Sequence, residues 1–213
     1  MPKKEAPLAY LDNYLPQGAS EKLLEYLHRY KVHLTITRSR KSILGDYRHA
    51  TSGNNHRISV NGSLNKYAFL ITLIHEIGHL VTFQQYGNKV NAHGKEWKHA
   101  YRIVLEDFLK LKLFPPDIHQ TLIKSLHNLP ASSCSDLSLT RVLKKYDDPG
   151  ATVLVEEIEE GGFFKTSDGK VFNRGKQVRK RIECVETKTG KMYLFSPVYE
   201  VESIRKVNRS GTD

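Results

Sequence analysis

The sequence predicts an α+β fold in two parts: a helical region with a short β-sheet, followed by a small antiparallel β domain. Apolar residues recur every three or four positions in two long stretches between residues 67 and 113, as in helices that pack on a core. From residue 151 onward, short alternating segments are separated by glycine-containing turns. We therefore divide the chain into a domain at 1–130, a linker with a short helix at 131–150, and a β domain at 151–213.

The elements of the front part follow from local patterns. Residues 20–30 predict a helix that begins at a serine, and residues 67–86 predict the most apolar helix, which ends at a glycine. Residues 94–113 predict another helix, which Pro115 and Pro116 stop. Further expected elements are strands at 32–38 and 57–62 and helices at 117–129 and 137–146.

The back part predicts short strands with turns between them. They are expected at 153–158, 162–166, 170–172, 177–186 and 191–195. The only cysteines of the chain, Cys134 and Cys184, allow at most one disulfide and are too few for a four-cysteine zinc site. We expect a reducing, cytoplasmic setting and a β domain that folds without metal.

The composition and charge exclude some classes of protein. The 213 residues are 39% apolar and 26% charged, which is the balance of a globular chain. Residues 67–88 are apolar enough to suggest a membrane span, but Glu76 lies mid-run between two histidines, and such a group is costly in lipid. We expect a buried helix and no membrane partner.

The strongest chemical signal is an H-E-x-x-H motif, His75-Glu-Ile-Gly-His79, on the predicted apolar helix. The spacing of four residues places both imidazoles on one helix face, where one metal ion can bind them. Glu76 follows the first histidine, and it can act as a general base on a water molecule without binding the metal. The alternative is a buried histidine cluster whose polar groups are satisfied within the core.

A catalytic zinc site uses three protein ligands and one open position, so a third ligand is needed. His93 is the first candidate, because it follows a turn and opens the second long helix. Glu96 and His99 remain alternatives. Tyr101, two turns after His93, is a candidate donor to the oxyanion of a transition state, although a core tyrosine is the simpler interpretation.

These residues resemble the SprT-like metalloprotease family. The H-E-x-x-H motif is followed after thirteen residues by His93-Gly-Lys-Glu-Trp97, and the segments at 37–47 and 58–61 also fit the family. The similarity covers about residues 15–115 and implies a zincin-like core. It further implies one catalytic zinc ion on His75, His79 and His93, with Glu76 as the base. Many members end in a zinc ribbon with paired cysteines. Because only Cys184 remains here, the resemblance implies a degenerate ribbon without metal.

Basic residues suggest a second partner. The formal net charge is +10, and residues 1–130 hold 18 Lys and Arg against 10 Asp and Glu. Tyr30 and Tyr47 alternate with basic residues between 29 and 57, a mixture that suits nucleic acid, while a solvated basic face is the plainer interpretation. The candidate nucleic-acid residues are Arg38, Arg40, Lys41 and Arg48. A second basic group at 174–181 is typical of a charged edge strand.

The sequence therefore predicts a zinc metallopeptidase that hydrolyses a protein or peptide substrate, with DNA or DNA-associated protein as the further partner that the family suggests. Two other functions stay open. One is a nucleic-acid-binding adaptor with a structural or vestigial zinc site, and the other is a zinc amidohydrolase that acts on small substrates. The sequence indicates neither the physiological substrate nor the oligomeric state.

Overall fold

A computed structural model describes residues 8–38, 43–126, 136–148 and 152–204. The chain forms two compact units, Met1–Asp147 and Asp148–Asp213. Helices and a three-stranded sheet make up the first unit, and a six-stranded sheet makes up the second, so the predicted α+β class is confirmed. Arg40, Lys41 and Cys134 lie outside the described residues.

The first unit begins with a short 3-10 helix at Leu8–Asn13. One α-helix precedes three β-strands, and only helices follow the third strand among the described residues of this unit. In chain order the elements are α1 (Ser20–Arg29), β1 (His33–Thr37), β2 (Gly45–Arg48), β3 (Arg57–Asn61), α2 (Lys66–Tyr86), α3 (Lys95–Lys110), α4 (Pro116–Leu126) and α5 (Leu137–Lys144).

The three strands form one mixed sheet in the order β1-β3-β2. β1 runs parallel to the central β3, while β2 runs antiparallel to β3. Ile58 and Val60 of β3 are buried against the core, and the residues between them point to the opposite face. The sheet therefore has one apolar inner face and one polar outer face.

Helix α2 forms the centre of the first unit. The side chain of Asn65 caps it by accepting hydrogen bonds from the backbone N–H groups of Tyr67 and Ala68, at 3.1 and 2.9 Å. Gly87, with φ 59°, ends it. More than half of its 21 residues are buried, among them His75 and Glu76. Across the described residues, no helix has the length and apolar character that a membrane crossing would require.

Gly78 lets α3 approach α2 closely. A Cβ atom at this position would lie 3.2 Å from Nε1 of Trp97 and 3.3 Å from Cα of Tyr101. Trp97, Val104 and Phe108 of α3 are buried in the same core cluster as the apolar residues of α2. The glycine within the H-E-x-x-H motif thus sets the helix–helix distance, and this distance brings the start of α3 to the two motif histidines.

The second unit is an antiparallel sheet in the order β4-β9-β5-β6-β7-β8. Its core includes Phe164, Phe172, Ile182 and Cys184. The thiol of Cys184 is buried, and burial raises its pKa to about 11. The strands are β4 (Val153–Leu154), β5 (Phe163–Lys165), β6 (Val171–Val178), β7 (Arg181–Glu186), β8 (Met192–Phe195) and β9 (Glu200–Ile204).

The structure differs from the strand expectations at three places in this unit. The expected strand at 153–158 ends at Leu154, because Val155–Glu157 form a 3-10 helix. The expected strand at 177–186 contains a chain reversal, because Val178 pairs with Arg181 across a two-residue turn. Arg179 adopts φ 54° there, a left-handed conformation that is usually signalled by glycine or asparagine. The last strand, β9, was not expected, although it joins β4 to β5 within the sheet.

Candidate metal centre

Three imidazoles meet at one point in the first unit. Helix α2 supplies His75 and His79 from successive turns, and their Nε2 atoms lie 3.2 Å apart. His93 immediately precedes Gly94, the N-cap residue of α3, and its Nε2 lies 3.1 Å from that of His75. His93 has φ 60°, a rare conformation for a residue with a side chain. The structure thus brings together the three histidines that the sequence singles out.

The arrangement fits a metal ion such as zinc. Tetrahedral zinc with bonds of about 2.0–2.1 Å requires ligand nitrogens roughly 3.4 Å apart, close to the distances found here. One ligand atom from each histidine lies within 4.8 Å of the others. The described residues contain no second group of this kind. Three nitrogen lone pairs directed at one point also repel each other, and a shared cation removes that repulsion.

Burial keeps the three imidazoles in the form that binds metal. Burial and the neighbouring imidazoles lower the pKa of His75 to about 3 and that of His79 to about 4. Burial also lowers the pKa of His93. A neutral imidazole offers a nitrogen lone pair, whereas a protonated one does not. The site is therefore ready for a cation at neutral pH without first losing protons.

Trp97 packs against all three histidines, a contact that the sequence analysis missed. Its ring centroid lies 4.7 Å from those of His75 and His93 and 5.3 Å from that of His79. Within the part of the chain that the structure describes, Nδ1 of His75 and Nε1 of Trp97 are buried without hydrogen-bond partners. The orientation of the His75 ring thus depends on packing, with Trp97 as one of its neighbours. The spacing of four residues between His93 and Trp97 could have indicated this contact. The sequence analysis instead assigned Trp97 to the apolar face of α3.

Glu76 lies on the side of α2 that faces the sheet. A Cβ atom on Gly45 of β2 would lie 2.6 Å from Oε1 of Glu76 and 2.7 Å from Cγ2 of Thr72. Glu76 is buried, and the close passage of β2 restricts its carboxylate to the space beside that strand. The residue is adjacent in sequence to His75, yet its carboxylate does not belong to the three-histidine group.

The remaining candidates lie nearby but are not part of the group. Glu96 has its carboxylate 3.9 Å from Nζ of Lys95, and His99 is exposed on α3. Tyr101 stacks on Trp97 with 5.0 Å between ring centroids and also contacts His75. Burial raises the pKa of the Tyr101 hydroxyl. These contacts account for the position of the ring, and a catalytic role of its hydroxyl stays a prediction.

The basic residues of the first unit form a row that sequence order does not show. His33 pairs with Arg57, and Arg57 pairs with Arg48, so the three side chains lie side by side on the outer face of the sheet. Arg38 is exposed just after β1. Tyr47, expected to stack with bases, is instead half-buried with its hydroxyl 2.9 Å from Nδ1 of His56.

Comparison with known proteins places the site within one matched region. The model of the SprT-like family matches residues 13–118, which include the three histidines and Glu76. Neither the curated proteins nor the solved structures contain a significant match to this chain.

The assignment of the third metal ligand can be tested by metal content. His93→Ala removes one of three converging nitrogens, so we expect the bound zinc per chain to fall by about tenfold or more. Glu96→Ala, three residues away, should retain the wild-type zinc content. Elemental analysis after gel filtration gives both values. Full zinc occupancy in His93→Ala would contradict the assignment.

Proposed function

Because the chain belongs to the SprT-like family, we propose that it is a zinc-dependent peptidase whose ligands are His75, His79 and His93 and whose general base is Glu76. The observation that carries the proposal is the convergence of three imidazole nitrogens at one point. Two of these imidazoles lie on α2, the helix that also carries the buried Glu76. A buried carboxylate is costly unless its surroundings use its charge, and a cation next to it does so.

The chemistry divides between the metal and the chain. Zinc, when bound, supplies Lewis-acid polarisation of a carbonyl oxygen and lowers the pKa of a water molecule. The Glu76 carboxylate accepts a proton from the attacking water and returns it to the nitrogen of the leaving amine. The buried side chains of Trp97 and His75 exclude bulk water from one side of the site, which strengthens these electrostatic interactions.

In this proposal, the inner face of β2 at Gly45 holds the general base in place. Gly45 has no side chain, and its backbone passes within van der Waals distance of the Glu76 carboxylate and the Thr72 methyl group. A carboxylate restricted in this way loses little conformational freedom when it accepts a proton. Gly45 is therefore a positioning residue in this proposal, since it acts on the reaction only through Glu76.

The first test removes the base and keeps the metal. Glu76→Gln preserves side-chain size, and we expect hydrolysis of an unfolded protein to fall by roughly 10² or more. Zinc content should stay at the wild-type value, because Glu76 is not a ligand. Turnover equal to wild type in Glu76→Gln would exclude this mechanism and favour a site that only binds metal.

A substrate panel separates the peptidase from a zinc amidohydrolase. Unfolded proteins and small amides should be compared with the same enzyme preparation and with Glu76→Gln as the blank. A peptidase should cleave the unfolded proteins and leave the small amides largely intact. Cleavage of small amides alone would favour the amidohydrolase.

The second test concerns the position of the base. Gly45 does not have a positive φ, so the backbone there allows alanine, and what opposes it are the contacts of the new Cβ with Glu76 at 2.6 and 2.9 Å and with Thr72 at 2.7 Å. We expect Gly45→Ala to lower kcat by roughly 10- to 100-fold while KM and zinc content change little. Steady-state kinetics and elemental analysis measure the three quantities.

A compensating substitution serves as the control for Gly45→Ala. Thr72→Ser removes the methyl group that lies 2.7 Å from the new Cβ and leaves the hydroxyl. The double variant should recover part of kcat, because the alanine methyl group can then shift away from Glu76. Equal kcat in Gly45→Ala and wild type would show that β2 does not position the base.

DNA is the second partner in this proposal, and the supporting observation is the basic row of His33, Arg57 and Arg48. All three side chains are exposed on the outer face of the sheet, with neighbouring strands about 4.8 Å apart. The next register position holds Thr35, Ser59 and Asp46, and the Asp46 carboxylate lies 2.9 Å from Nε of Arg48, so Arg48 is partly compensated. Cations beside hydroxyl groups are typical contacts to phosphate oxygens.

The DNA proposal is tested by the salt dependence of binding. Reversing charge at Arg48 and Arg57 should weaken binding of a single-stranded oligonucleotide and flatten the salt dependence by about two phosphate contacts. Lys124→Glu, an exposed cation on α4, is the matched control and should leave the slope unchanged. Fluorescence anisotropy at several salt concentrations measures it. Salt-insensitive or absent binding would remove DNA from the proposal and leave the peptidase.

A further inference from the structure

One edge of the second unit exposes a set of apolar side chains. Met192 and Leu194 of β8 are 63% and 58% exposed, and Val185 of β7 is 36% exposed. Val185 pairs directly with Met192, and Leu194 lies two residues further along β8, so the three share one face. The opposite face holds Ile182, Cys184 and Phe195, which contribute to the core. We call Val185, Met192 and Leu194 the outer apolar strip.

The same strand is an open edge of the sheet. β8 is the last strand in the order, and within the described residues it pairs with β7 alone. Its sequence, Met-Tyr-Leu-Phe, contains no charged residue and no proline. Proteins usually protect such edges with charges, prolines or bulges, because unpaired backbone groups recruit another strand. An unprotected edge beside exposed apolar side chains is therefore suited to strand addition.

The charge next to the strip defines the partner. Lys176, Arg179, Lys180 and Arg181 surround the β6–β7 turn, and the segment 174–182 contains no acidic residue. Within the described part of the chain, no carboxylate lies within ion-pair distance of these four side chains. Arg181 lies on the same face of β7 as Val185 and at the Leu194 end of the strip. Glu183, the partner of Leu194 on β7, also lies on this face, between Arg181 and Val185. The four cations lie beyond it at the turn, so a ligand that covers the strip and extends past Leu194 meets a net positive charge at that end.

A second copy of the chain fits this surface less well. Antiparallel pairing of two β8 strands would bring the Arg181 end of one copy to the start of β8 in the other, where Lys188 and Lys191 lie. Like charges would then face each other. Nucleic acid would use the cations but would leave the apolar strip without a partner. An extended acidic peptide with alternating apolar residues would pair with the open backbone of β8, cover the outer apolar strip and place carboxylates near the cations.

We propose that the β8 edge docks an extended acidic segment of a partner protein. The segment adds a seventh strand to the sheet, lays its apolar side chains against Val185, Met192 and Leu194, and directs its carboxylates toward Arg179, Lys180 and Arg181. Methionine suits such a surface, because its flexible side chain adapts to different apolar partners. This site is independent of the zinc site and of the proposed peptidase activity.

Binding of two designed peptides to the full-length chain tests the proposal. The probe is a fluorescein-labelled eight-residue peptide that alternates valine and glutamate, and its counterpart alternates valine and lysine. The glutamate peptide should bind about tenfold or more tightly than the lysine peptide in fluorescence anisotropy. Leu194→Glu and Arg181→Glu should each weaken its binding by about tenfold. Ile204→Glu, at an apolar residue of β9 that is 40% exposed, should not weaken it.

Strand addition has its own signature. In an extended peptide the backbone N–H groups point alternately to its two edges, and N-methylation removes the donors of one edge. If the peptide pairs with β8 through one edge, methylating the valine amides and methylating the glutamate amides should weaken binding to very different extents. Leu194→Glu should lose the peptide while it keeps wild-type zinc content and hydrolysis of an unfolded protein, which separates this site from catalysis.

Four results would overturn the proposal. They are equal binding of both peptides, undiminished binding to Leu194→Glu, full competition by single-stranded DNA, and a sedimentation dimer that Leu194→Glu abolishes. The last of these would make β8 a self-association surface.

Discussion

The structure of the first unit depends on burying a helix that carries ionisable groups. Helix α2 packs on β2 and β3 through one face and on α3 through another, so His75 and Glu76 lie inside the protein. Buried polar groups must find partners, because desolvation without compensation costs several kcal/mol. His75 meets two further imidazoles, and Glu76 is restricted against β2. The packing that stabilises the unit is thus the same packing that brings the three histidines together.

Two glycines allow α2 to be covered this closely on both sides. Gly78 admits Trp97 and Tyr101, and Gly45 admits Glu76 and Thr72, at distances that a side chain would prevent. The first contact fixes the start of α3 and therefore the position of His93. The second contact fixes the carboxylate. Small residues at these contacts convert general helix packing into the defined geometry that a metal site and a base require.

The sequence was sufficient for the features that depend on local spacing. The H-E-x-x-H pattern placed His75 and His79 on one helix face, and the turn before α3 pointed to His93. Contacts between distant strands were not accessible in this way. The basic row depends on the register of three strands, and the closeness of Gly45 to Glu76 depends on β2 crossing α2. The turn at Arg179 was missed because its positive φ lacks a glycine or asparagine signal.

Net charge alone does not identify what a basic surface binds, because the residues around each cation determine which ligand fits there. On the first unit, Arg57 lies beside hydroxyl-bearing residues on a polar sheet face, and Arg48 is paired there with Asp46, an environment that matches hydrated phosphates. On the second unit, Arg181 lies on the face of β7 that continues into the apolar strip of β8, where a phosphate backbone would leave apolar surface exposed to water. The same residue type therefore points to a polyanion in one place and to an acidic, partly apolar polypeptide in the other. The net charge of +10 therefore includes cations on two surfaces for which we propose different partners.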